Sequence, residues 1–133
     1  MNDIVIAGIG QTPVGEHWDL TLHTQASRAV RAAIKDAGGI KPQAMYIGNF
    51  LASVISHQAN LGALLAEHCG LTGIEAFTVE AAGASGAGAF RMGYLAVASG
   101  FVETAVVVGV EKFTDMVGSV VESAAAQSLD YDY

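Results

Sequence analysis

A single cysteine, Cys69, rules out a disulfide within this sequence. Charge is also scarce. Asp, Glu, Lys and Arg make up 14% of residues, against roughly 25% in an ordinary soluble domain. Cations are the scarcest, six Lys and Arg against thirteen Asp and Glu, for a formal net charge of −7. The six are scattered along the sequence without a patch. That excludes the basic stripe with which a protein displaces counterions from nucleic acid. The uncharged stretch from 43 to 66 is broken by Asn49, Ser53, Ser56, His57, Gln58 and Asn60, so it falls short of the about 20 apolar residues of a membrane span. No basic leader precedes the first apolar run, so no signal peptide is expected and the reading is cytoplasmic. His17, His23, His57 and His68 lack the spacing of metal ligands, and no metal is expected.

What is abundant is apolar surface and glycine. Hydrophobic residues are 52% of the 133, with sixteen glycines where about 7% is usual. A chain so apolar buries most elements on two sides or hides a face against another chain. Ile4 to Gly10 is a short apolar run of the kind that forms a strand buried on both faces. Further strands are expected at Met45 to Phe50, Ala76 to Val79 and Thr104 to Val110. Between them lie helical patterns. The first is capped by Asp19 or Thr21, carries Leu22, Ala26, Ala29, Val30, Ala33, Ile34 and Ala37 on one face, and stops at Gly38-Gly39. The second has Ser56 in the N-cap position and ends at Gly70. The third, Ala84 to Ser99, is apolar on almost every side and is therefore expected to be buried all round. Alternating strands and helices predict a three-layer α/β fold with a parallel or mixed sheet. After Lys112 the pattern fades, with helix expected somewhere in 117–129.

Three segments carry a family resemblance. They are Ile4 to Pro13, the turn Gly83-Ala84-Ser85-Gly86, and Gly109-Val110-Glu111-Lys112-Phe113-Thr114-Asp115. In this order and spacing they resemble the N-terminal half of thiolases, most closely the sterol-carrier-protein and archaeal type of acetyl-CoA acetyltransferase. The resemblance implies a thiolase-like fold with a mixed sheet and a buried central helix, Ala84 to Ser99, and makes residues 1–133 an incomplete N-terminal domain. In the family the turn reads Cys-x-Ser-Gly, and its cysteine accepts the acyl group as a thiolate stabilised by the helix N-terminus. Here that position is Gly83. The family's histidine and second cysteine come from its C-terminal half. The chain alone is therefore expected to be inactive, with a coenzyme A thioester as the implied ligand and no cofactor. The Gly83 N–H would remain as a carbonyl donor, and Ser85 and Gly86 are implied as substrate-binding. Implied partners are a second copy, the complementary C-terminal half, or a small acyl-CoA-binding protein. An assembly subunit and a carbon–carbon lyase are the alternative functions.

Each marked residue also has a plainer role. Gly83 is the residue type a sharp turn needs if its φ is positive. Ser85, in a first helical turn, is the type that caps. Cys69, beside a helix-ending glycine, reads as a buried structural thiol. Glu80 and Glu111 read as solvated strand-end charges. Gly8-x-Gly10 opens a dinucleotide fingerprint that Pro13 breaks.

Overall fold

The computed structural model describes residues 3–130 and 132. Helix α1 spans Leu22–Asp36, strand β1 Ala44–Gly48, the short α2 Ala52–Ile55, α3 Leu61–His68, β2 Glu75–Val79, α4 Ser85–Ala98, β3 Ala105–Gly109 and α5 Ser119–Ala126. Thr21 is the residue that caps α1, its hydroxyl accepting the Thr24 N–H at 3.2 Å. The helix ends where Gly38 and Gly39 take left-handed backbone and Gly39 N–H closes onto the Ile34 carbonyl.

The strands pair in the order β2-β1-β3, all parallel. Central β1 is buried along its whole length, which is why it lacks polar alternation. Its residues sort by parity. Met45 and Ile47, with Val106 and Val108 of β3, face Leu22, Ala26 and Val30 of α1 and Leu61 and Leu65 of α3. Ala44 and Tyr46 face Ala89 of α4 on the other side. The result is helices, sheet and helix in three layers, the α/β architecture expected from the sequence.

Four details differ from expectation. Among the described residues the sheet is purely parallel, not mixed. Residues 4–10 form no strand. That segment runs along α1 instead: Ile9 N–H donates to the Asp36 carboxylate at 2.9 Å, and Gly8 and Gly10 lie so close to the helix that a Cβ at either would fall within 2.5 Å of the Ala33 or Ala29 carbonyl oxygen. Its backbone meets a helix, not a strand edge, and Val5, Ile6 and Ile9 stay exposed. Helix α4 buries one stripe, Ser85, Ala89 and Gly93, where it meets the sheet, while Phe90, Met92 and Leu95 on its other sides remain exposed. Ser56 ends α2; the N-cap of α3 is Asn60, in left-handed backbone.

Candidate active-site turn

The chain leaves β2 at Val79 and enters α4 at Ser85 through a tight turn, with one 3-10 turn at Ala82–Ala84. Parallel strands bring their C-terminal ends together, and this edge is where α/β sheets present loops for chemistry. Asn49 N–H ties the end of β1 to the Val79 carbonyl at 3.2 Å, and Val110 N–H ties β3 to the Gly48 carbonyl at 3.1 Å. Helix α4 sits directly on this edge. A Cβ at Gly48 would lie 2.6 Å from Gly86 Cα and N, so the first turn of α4 approaches β1 backbone to backbone.

Within the turn, the left-handed residue is Ala82, with φ of 47°, not Gly83. A non-glycine residue held there is strained by about 1–3 kcal/mol, and such strain concentrates at functional sites. Gly83 has no such φ, and a Cβ built on it meets nothing within 4 Å. Neither backbone conformation nor space therefore requires glycine at 83. It is exposed at the mouth of α4, and a side chain there would project into open space.

Ser85 is 5% exposed, and its hydroxyl is committed within the turn. It donates to the Ala82 carbonyl at 2.7 Å and accepts the Ala81 N–H at 2.9 Å, fastening the strained residue in place. The carboxylate of Glu80 accepts the Ala82 N–H at 2.5 Å. Gly86 is the point of contact with β1. The structure thus brings Gly83, Ser85 and Gly86 into one elbow, with Ser85 bonded inward and Gly83 facing outward.

Glu111 was missed as a structural residue. It is no solvated strand-end charge: its carboxylate accepts the Phe50 N–H at 2.9 Å, the Leu51 N–H at 3.1 Å and the Asn49 side-chain amide at 2.9 Å. Asn49 also donates to the Val110 carbonyl and accepts the Ala52 N–H. The two residues lace the ends of β1 and β3 to the start of α2. Sixty-odd residues separate them, so only the parallel pairing of β1 with β3 reveals the link. Glu80, by contrast, is exposed.

None of the histidines hydrogen-bonds to the turn among the described residues. His23 and His68 meet each other instead, ring centroids 4.2 Å apart, between α1 and α3 on the far face of the sheet. Cys69, at the end of α3, is half-buried. Burial pushes its thiol up, and nearby Arg31 pulls it partly back. No group of three or more His, Cys, Asp or Glu side chains is placed to hold a metal among the described residues. No described helix is long and apolar enough to cross a membrane.

Residues 4–132 match the thiolase N-terminal domain family. The chain belongs to the thiolase family. It is 40% identical over 134 aligned positions to an acetyl-CoA acetyltransferase of Methanothermobacter thermautotrophicus, an alignment covering 99% of this chain and 35% of that protein. It is 41% identical to an acetyl-CoA acetyltransferase of Methanocaldococcus jannaschii, covering 99% of the chain and 34% of that protein. This thiolase chain therefore spans about a third of the length of the curated relatives it matches. The segment after β3 that carried part of the resemblance is where Glu111 binds the α2 amides and where buried Lys112 pairs with Asp115.

Proposed function

We propose that residues 1–133 are the N-terminal domain of an acyl-CoA acyltransferase of the acetyl-CoA acetyltransferase type, in which the position of the nucleophilic cysteine is taken by Gly83. On this reading the chain alone is catalytically silent. The observation that carries the proposal is the open space and unstrained φ at Gly83 beside a strained Ala82. A turn glycine would be needed where φ is positive; here that burden falls on the neighbour. The elbow has room for a side chain at 83, which supports this reading.

Glycine has no group to attack a thioester, and the Ser85 hydroxyl is engaged on both sides and stands buried. What remains is backbone. No acceptor for the Gly83 N–H is found among the described residues. At the N-terminus of α4 it is positioned to donate to a carbonyl oxygen, in the manner of an oxyanion-hole donor. A coenzyme A thioester is the ligand this reading assigns, held without reaction and without a cofactor, in a cytoplasmic protein.

Two incubations test it. The chain mixed with acetyl-CoA and acetoacetyl-CoA should release no free coenzyme A above background, and turnover would overturn the proposal. Gly83→Cys should fold with its stability changed by less than about 1 kcal/mol, since the side chain meets no neighbour. Its new thiol should alkylate with an apparent pKa below the ~8.5 of a free cysteine, as a helix N-terminus favours thiolate. Cys69, held up by burial, serves as the slow internal reference. A thiol at 83 no faster than Cys69 would sink the assignment of that position.

A second reading, a non-catalytic assembly subunit, is favoured by one observation, the uncovered face of α4 with Phe90, Met92 and Leu95. Apolar area of that kind marks an interface. The two readings are compatible. The partner would be a second copy, a complementary C-terminal half, or a small acyl-CoA-binding protein.

A further inference from the structure

We infer that the exposed face of α1, continued through Lys41, is a docking strip for an acidic segment of another protein. Contrary to the expectation of scattered cations without a patch, most of them crowd into one stretch of the sequence. Residues 28–41 hold four of the six Lys and Arg and one of the thirteen Asp and Glu, a local net charge of +3. The rest of the chain, with two cations and twelve acids, carries −10. Arg28, Arg31 and Lys35 are spaced three and four apart on α1, which puts them on one face. All are exposed, as is Lys41. Arg31, Lys35 and Lys41 line a shallow groove of about 920 Å³ together with Ile34, Leu71 and one acid, Glu67.

The chain's own acids leave the strip net positive: Glu67 is the one acid lining the groove, against three cations. Among the described residues the sole ion pair is Lys112–Asp115, well away from it in sequence. Asp36, the acid within the strip, turns its carboxylate to the Ile9 N–H. Helix-end electrostatics accounts for two of the four cations: Arg31 donates to the His68 carbonyl at 2.7 Å at the end of α3, and Lys35 lies in the last turn of α1. Neither reason applies to Arg28 in mid-helix or to Lys41 beyond the helix.

The form of the strip selects among anionic partners. The groove is too open to enclose a small ligand. A membrane surface or a nucleic acid extends far past the strip and would meet the −10 carried by the rest of the chain. A short acidic segment meets the strip alone, and its apolar side chains find Ile34 and Leu71. The groove lies where α1 and α3 end and β1 begins, at the opposite end of the parallel strands from Gly83, so this surface is independent of the elbow.

Fluorescence anisotropy on the full chain with a labelled alternating glutamate–leucine peptide tests the inference. Saturable binding at low salt, weakening as salt rises, is expected. Lys35→Glu with Lys41→Glu should weaken it about tenfold or more. The neutral pair Lys35→Gln and Lys41→Gln should give an intermediate loss, and Arg91→Glu, on the opposite layer, none. Unchanged circular dichroism in the double variants ties the loss to charge. Equal binding by the double Glu variant, equal loss with Arg91→Glu, or stronger binding of duplex DNA or phosphatidylglycerol vesicles than of the peptide would overturn it.

Discussion

At the scale of single residues, the left-handed position of the elbow is Ala82, and this separates what glycine does at 83 from what a turn demands. The exposed apolar run and the strand-helix change locate the turn in the sequence, but φ belongs to the folded backbone, so the residue bearing the strain is invisible beforehand. The same holds for Glu111, whose charge at a strand end gives no sign of the distant amides it receives. His23 and His68 make a different point. Burial, and then the charge of His68, hold the His23 ring below its usual pKa. The fold therefore favours neutral His23. That stabilisation is present above the unfolded value of about 6.5 and is lost as pH falls through the lower folded value. Urea unfolding from pH 7 to pH 5 should show a declining midpoint, and His68→Gln should make the decline shallower. A decline equally steep in the variant would remove the histidine pair as its cause.

Among the elements, β1, β3 and α1 were readable because each has a local cause: nearly continuous apolar runs for the strands, and a Thr cap, apolar periodicity and a Gly-Gly end for the helix. The other elements depend on partners. Residues 4–10 have the composition of a strand, but composition does not reveal whether a strand edge is available, and here the run rests on α1. Helix α4 is apolar all round, yet it buries only the stripe at Ser85, Ala89 and Gly93, with Gly86 and Gly88 also close to the strands. At Gly48 it approaches the sheet backbone to backbone. Gly48→Ala would force a Cβ to within 2.6 Å of Gly86 backbone, where neither side yields cheaply. The expected cost is about 1–3 kcal/mol or more in thermal or chemical unfolding. Gly86→Ala is the control. Its Cβ meets nothing within 4 Å, so it should cost little or stabilise α4 slightly. Equal destabilisation by both would refute the backbone contact as the seat of the effect.

For the whole molecule, the uncovered apolar surface governs solution behaviour. Phe77 on edge strand β2 and Phe90 and Leu95 on α4 are 52%, 54% and 44% exposed, on the side of the sheet away from α1 and α3. Water contact there is unfavourable by about 25 cal/mol per Å² of apolar area. Light scattering on a sizing column should report a mass that rises with concentration, and Phe90→Ser with Leu95→Ser should lower it toward the monomer. A concentration-independent monomer for the unaltered chain would count against the assembly reading. The 52% hydrophobic content hinted at such a face, but which side of which element stays bare is set only once the sheet has chosen its layers.

The vacancy around residue 83 carries an implication for descent. Some glycine codons lie one base from a cysteine codon. A change from glycine to cysteine at 83 would meet no steric obstacle, so a thiol at this position is a short step in genetic as well as structural distance.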